Sequence, residues 1–387
     1  MKNRDVGVLT EARVDLALFV PSFDKGGVER MVTNLARGLD GLGYAVDMVV
    51  RRRGSRYLDA LAPSVRVVEL DLMGGDLLSA AVRYLKTAAP GVLVSSKDVN
   101  NALAVAARRR AGVATRVYVR AAIAESARVA DQFFLTRWRS YRTMRRVYRQ
   151  ADGVIAVSHD LAADVAGITG IPIQEIRVAH NPVVTPEMLR LAQVPLQHPW
   201  FRPGAPPVVL GSGRLARVKN FALLIRAYAR IRSELECRLL ILGEGRERNA
   251  LMGLARKLGV SEDVELTGFV DNPFAYLSRA RLFASASLAE GSPNALTEAL
   301  ALGIPVVSSD CRSGPREILQ EGRYGALVPV GDEGAFAAAM VDALCHPRSP
   351  DFLRQAAAPY TLDGSAREYA AILGLGEPMS HLPADPE

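Results

Sequence analysis

The chain has 387 residues, 49% of them apolar but only 6% aromatic, and carries 48 basic against 41 acidic side chains, a formal net charge of +7. That length exceeds what one compact core holds, and the aliphatic bias predicts two linked α/β domains rather than an aromatic-rich β-sandwich. Cys237, Cys311 and Cys345 are odd in number and far apart, which argues against a disulfide framework or a cysteine zinc site and points to a reducing cytosol.

No run of about 18 apolar residues occurs, and Met1–Arg13 holds no apolar core of a leader, so neither a membrane span nor export is expected. Charge is uneven along the chain. Residues 1–200 hold 28 Lys and Arg against 19 Asp and Glu, and residues 201–387 hold 20 against 22, so the halves carry 28 − 19 = +9 and 20 − 22 = −2. A basic half suggests an anionic partner, whether a membrane surface, a nucleic acid or a phosphorylated substrate.

From Asp15 to Val20 a short apolar run precedes Gly26 and Gly27, after which Val28, Met31, Val32, Leu35 and Leu39 recur at helical spacing. That reads as strand, glycine loop, helix. Ala45–Val50, Val65–Leu70, Val92–Val94, Val117–Val119 and Val154–Val157 continue the rhythm of a parallel sheet. Residues 195–207 contain five prolines and form the expected linker. A second series follows at Val208–Leu210, Arg238–Leu242, Val264–Leu266, Leu282–Ser285, Pro305–Val307 and Ala326–Val328. Two Rossmann-like domains are expected, over 1–194 and 208–350, with 351–375 crossing back as a helix and 376–387 as a loose tail.

Two stretches carry chemistry. Gly211–Asn220, G-S-G-R-L-A-R-V-K-N, joins a strand to an apolar-periodic helix and brings Arg214 and Lys219 beside close-approach glycines such as Gly213. It reads as a phosphate cradle or as an ordinary turn with exposed basic residues; it is not a P-loop. Glu290–Glu298, E-G-S-P-N-A-L-T-E, places Pro293 at a helix start. The amides of Ser292, Asn294 and Ala295 would then be open to an anion, Glu298 could accept a vicinal diol, and Glu290 a sugar hydroxyl. The plainer alternative is two acids favoured by the helix dipole.

Together with C-R-S-G-P-R-E-I (Cys311–Ile318), A-D-G-V-I-A-V-S (Ala151–Ser158), H-N-P-V (His180–Val183) and L-T-G-F-V (Leu266–Val270), these motifs make nearly the whole chain resemble a family 4 glycosyltransferase of GT-B fold. The resemblance implies two Rossmann-like domains facing across a cleft, and retaining transfer of a hexose or N-acetylhexosamine from a nucleotide-sugar, with UDP favoured over GDP. It implies that Arg214 and Lys219 hold the donor diphosphate, Glu298 the ribose, Glu290 the transferred sugar, and Ser292 to Ala295 the distal phosphate and sugar. Phe269 and Val270 would lie at the base, and Gly26 and Gly27 across the cleft. No cofactor and no essential metal is implied, because no Asp-x-Asp motif occurs and Arg and Lys can replace the ion. Many members of that family carry a His, or an Arg-Asn pair, in the loop after the strand corresponding to Val117–Val119, where this chain has Arg120-Ala121-Ala122. Arg120 is then the acceptor-side candidate; Asp98 or Glu125 either supplies the missing polar group or, the plainer reading, is an ordinary surface acid.

Residues 132–150 hold Arg137, Arg139, Arg142, Arg145, Arg146 and Arg149 among five aromatics and no acids. Such a helix either lies on an anionic membrane or packs its apolar face in the core. The resemblance favours a lipid-linked glycan acceptor at the inner leaflet and a peripheral cytoplasmic protein, with no nucleic acid partner. Two rival readings are a nucleotide-sugar 2-epimerase of the same fold and a non-catalytic basic nucleic-acid-binding protein.

Overall fold

A computed structural model describes residues 14–23, 27–129 and 132–377. It contains two wholly parallel sheets. The first is built from β1 (Leu16–Phe19), β2 (Val46–Val50), β3 (Arg66–Glu69), β4 (Val92–Ser96), β5 (Arg116–Arg120), β6 (Gly153–Ala156) and β7 (Ile176–Val178), in the order β3-β2-β1-β4-β5-β6-β7. The second comprises β8 (Val208–Ser212), β9 (Arg238–Leu242), β10 (Val264–Gly268), β11 (Leu282–Ser285), β12 (Val306–Ser309) and β13 (Ala326–Val328), in the order β10-β9-β8-β11-β12-β13.

The strands are short aliphatic runs because helices cover both faces of each sheet. In β1, Ala17 and Phe19 enter one core layer of the first lobe and Leu16 and Leu18 the opposite one. β7 escapes a reading by pattern: it has three residues, and Arg177 at its centre is exposed. In both sheets the strand order reverses, between β1 and β4 and between β8 and β11. A doubly wound sheet opens a crevice at such a point beyond its carboxyl strand ends.

The lobes interlock by two crossings. Val183, Met188 and Ala192 are buried in the second lobe's core, so the chain leaves the first lobe ahead of the expected linker 195–207, and residues up to 194 do not all belong to the first domain. It returns at Thr361. The helix Leu362–Leu373 then packs Ala366, Tyr369 and Leu373 into the first lobe. A methyl group added to Gly38 would lie 2.8 Å from that of Ala366, so the helix Gly27–Gly41 reaches its partner only because residue 38 has no side chain. The crossings run side by side: the amides of Val183 and Val184 donate to the Tyr360 carbonyl at 2.9 Å, and the Leu362 amide donates to the Val184 carbonyl at 2.9 Å. The end of the tail, residues 378–387, lies outside the described residues.

Candidate active site

At the switch point of the second sheet, the loop after β8 lies flat on the backbone after β9. The Gly213 amide donates to the Leu242 carbonyl and the Leu215 amide to the Glu244 carbonyl, both at 2.9 Å. A side chain on Gly243 would meet the Gly213 carbonyl oxygen at 1.9 Å, and one on Gly245 the Leu215 oxygen at 2.1 Å. Gly213 itself, at φ +153°, packs on the stem of Lys219. A 3-10 turn, Arg217–Lys219, then leads through left-handed Asn220 into the helix Phe221–Ile231.

This route aims Lys219 at the loop after β11. Its Nζ lies 2.5 Å from Oε1 of Glu290, which also accepts from the Ser287 hydroxyl at 2.6 Å. Arg214 is exposed and has no ion pair among the described residues. Cys311 sits close enough to feel Glu290 and Lys219, but burial above all pushes its thiol up to about 12, so no thiolate nucleophile stands here at neutral pH.

The helix after that loop spans Asn294–Ala301, and Pro293 is its N-cap rather than its first-turn residue. Pro293 offers no side-chain cap, and its carbonyl serves the amides of Leu296 and Thr297. The amides of Asn294 and Ala295 are left without partners among the described residues, as is the buried hydroxyl of Ser292. These are the groups an anion would engage at a helix start. Glu298 lies deeper and is buried. Burial raises its carboxyl above the usual range, while Arg30 from the first lobe pairs with it and opposes that rise. Arg30 in turn stacks over Phe274, 5.2 Å from the ring centroid. Arg30 was not singled out by the sequence; the available signal was its place in the first turn after the glycine loop.

The first lobe closes against this loop. A side chain on Gly291 would meet the Ala122 carbonyl oxygen at 2.0 Å, and the Ser158 hydroxyl donates to the Gly291 carbonyl at 3.2 Å. Arg120, the acceptor candidate, is instead buried: its guanidinium donates to the Tyr369 hydroxyl at 2.9 Å, the Ser96 hydroxyl at 3.0 Å and the Asn181 Oδ1 at 2.5 Å. Asn181 donates to Asn294 Oδ1 at 2.8 Å, and Asn294 to the Gly27 carbonyl at 3.3 Å. Arg120 therefore braces the interlobe seam, a placement that its position in the motif did not reveal. Gly27 begins its helix within ordinary contact of Asn294; Gly26 lies outside the described residues. Asp98 and Glu125 line a 340 Å³ cavity with Arg139 and Tyr148. Phe269, half-exposed, follows Gly268 at the end of β10, and Val270 packs on the second lobe's core.

The arginine-rich segment forms the helix Phe134–Tyr148. Its two ends differ. Arg145 donates to the Ile168 carbonyl at 3.0 Å and Arg149 to the Thr169 carbonyl at 2.9 Å, so these two cap a neighbouring helix rather than face a partner. Arg137, Arg139, Arg142 and Arg146 are exposed. So are Phe133, Phe134 and Trp138, at 90%, 71% and 50%, while Tyr148 is buried. No helix among the described residues is long and apolar enough to cross a membrane.

Two facing Rossmann-like lobes, with a cation and an open helix start at the second lobe's switch point, define the GT-B class of glycosyltransferases. Residues 25–186 match the model for glycosyltransferase family 4, and residues 206–346 match that for glycosyl transferases group 1. The chain belongs to this family.

It is 44% identical over 127 residues to an N-acetylgalactosaminyltransferase of Campylobacter jejuni acting on an N-acetylgalactosamine-N,N'-diacetylbacillosaminyl-diphospho-undecaprenol, an alignment covering 33% of this chain and 34% of that one. It is 32% identical over 208 residues to the lipopolysaccharide core biosynthesis glycosyltransferase LpsE of Rhizobium meliloti, covering 54% and 58%. The chain thus spans about a third to three-fifths of these two curated relatives. Among solved structures, Anabaena HepE with UDP and glucose superposes with a TM-score of 0.76 at 18% identity, covering 94% of this chain and 100% of that one. The galactosyltransferase WaaB of the lipopolysaccharide outer core gives 0.69 at 20% identity, covering 94% and 99%. At these identities the likeness concerns the fold.

Proposed function

We propose that the protein transfers a hexose or N-acetylhexosamine, with retention, from a UDP-sugar to a glycan or lipid-linked glycan. The observation that carries this reading is the convergence of Lys219, Glu290 and the uncapped start of the helix Asn294–Ala301 beside the buried carboxyl of Glu298. Arg214 and Lys219 hold the diphosphate, with the amides of Ser292, Asn294 and Ala295 on the distal phosphate and sugar. Glu298 accepts the ribose hydroxyls, Glu290 a hydroxyl of the transferred sugar, and Phe269 and Val270 border the base.

The anomeric C–O bond to the diphosphate breaks as the acceptor hydroxyl oxygen bonds to the same carbon. The acceptor's proton passes to the departing phosphate oxygen. Cations and helix amides stabilise the negative charge that grows on that oxygen, and no divalent metal is required. Glu290, already engaged by Lys219 and Ser287, positions the sugar instead of attacking it. A lipid-linked acceptor is supported by the named activity of the Campylobacter relative and by the exposed basic, aromatic helix, which would hold the protein on an anionic membrane surface.

A panel of UDP-, GDP- and ADP-sugars in thermal unfolding tests the donor. A ligand at 100 times its Kd stabilises by about 2.7 kcal/mol, and no shift with any of them would sink the reading. Sugar isomerisation without acceptor would transfer the assignment to an epimerase. Loss of transfer in excess EDTA would remove the metal-free step.

A further inference from the structure

A second concave site lies away from the donor loops, between the helix Asp98–Ala111 and the helix Phe134–Tyr148. It is a groove of about 600 Å³, within the size range of small-molecule sites. Arg109 and Arg110 enter from one helix and Arg142 and Arg146 from the other, over an apolar floor that includes Val105 and Val147. No carboxylate lines it, and none of the four arginines is ion-paired among the described residues. Asp76 lies within reach of Arg110, its carboxyl held low chiefly by Ser79 and in small part by Arg110, and Asp98 and Glu125 line the adjoining cavity rather than the groove.

Four arginines lining one concavity without a carboxylate among them leave its positive charge unbalanced until an anion enters, and their forked donors match phosphate oxygens two at a time. The groove also continues into apolar surface. Leu135, Trp138, Arg142 and Arg146 follow helical spacing along one stripe, and the Arg142 guanidinium stacks 5.4 Å from the Trp138 ring centroid. Leu135 and Trp138 are exposed. A site with clustered arginines at one end and bare apolar side chains at the other fits an anionic amphiphile. A nucleic acid backbone would instead call for cations spread along a track.

We infer that this groove binds the phosphate of a single anionic phospholipid headgroup, with the Leu135 and Trp138 end of the helix set in the acyl boundary. The inference rests on the membrane-surface reading proposed above, and adds a discrete, saturable lipid site to it.

The test uses the full chain and dihexanoyl phosphatidylglycerol kept below its micelle threshold, read by the fluorescence of Trp138 with Trp138→Phe as the blank. The expected result is a saturable change at one lipid per chain, weakened about 30-fold when two groove arginines are removed in R109A/R110A and several-fold in R146A. The off-groove pair R137A/R139A should change it less than twofold, and thermal unfolding should match wild type in each variant. Dihexanoyl phosphatidylcholine and inorganic phosphate should give no comparable change.

Absence of a saturable change, or equal weakening in the groove and off-groove pairs, overturns the groove site even while the wild type sediments with phosphatidylglycerol vesicles. Failure of the wild type to sediment with those vesicles at low salt brings down the membrane reading itself. An equal response to inorganic phosphate, or tighter binding of an RNA oligonucleotide through the same arginines, overturns the lipid assignment.

Discussion

Replacing Arg30 with alanine isolates the contact between the lobes at Glu298. The Glu298 side chain is 5% exposed and Arg30 24%, so the variant leaves a buried carboxylate facing a gap. Breaking a fully buried pair costs about 3–5 kcal/mol; the partial exposure of Arg30 lets water in and lowers this to about 2 kcal/mol. The penalty depends on pH. Burial already raises the folded carboxyl above its unfolded value, so the folded state holds the extra proton and stability falls as pH rises through that interval. Without Arg30 the folded value rises further and the loss deepens towards higher pH. At pH 4.5, near the unfolded value, R30A should unfold close to wild type; at pH 8 it should melt about 4–8 °C lower. Adding Glu298→Gln should restore most of the difference, because no charge is then left unpaired. An R30A deficit equal at both pH values, or undiminished by the second substitution, would refute the reasoning.

In steady-state transfer assays, Lys219→Ala and Arg214→Ala should each lower kcat about 10²–10³-fold through loss of leaving-group stabilisation, while Glu298→Ala should chiefly raise the donor KM. Gly291→Ala places a methyl 2.0 Å from the Ala122 oxygen; the lobes must part to admit it, so activity should collapse and the radius of gyration in solution scattering should increase. His180, with Nδ1 3.1 Å from Glu368 and Nε2 3.7 Å from Glu317, has its pKa raised mainly by the hydrogen bond to Glu368. A raised histidine stabilises fully below its unfolded value of about 6.5 and loses that stabilisation as pH climbs through the folded value. His180→Gln should therefore flatten the fall of melting temperature as pH rises above about 6.5, and an unchanged slope would remove His180 from the seam.

The strands were legible because burial on both faces leaves uninterrupted aliphatic runs; β9, β11 and β13 occupy the residues their composition marks. The loops after β8 and β11 were legible because glycine and proline leave punctuation at sharp turns of the backbone, as at Gly213 and Pro293. What stayed hidden depends on contacts between distant segments. Arg120 reads as a polar residue at a strand end, and only the arrival of Tyr369 and Asn181 turns it inward. Arg145 and Arg149 are indistinguishable by pattern from Arg142 and Arg146, until the carbonyls of Ile168 and Thr169 claim the first pair. The lobe boundary was drawn at the prolines because linkers favour them, yet Val183, Met188 and Ala192 place it earlier through burial alone.

The paired crossings at Val183–Val184 and Tyr360–Leu362 constrain how the molecule can move. One covalent thread between two bodies is a swivel, free to twist about itself. Two threads bonded to each other resist that twist. A swing of the lobes about these crossings acts on the contacts that join them elsewhere, Ala122 with Gly291 and Arg30 with Glu298.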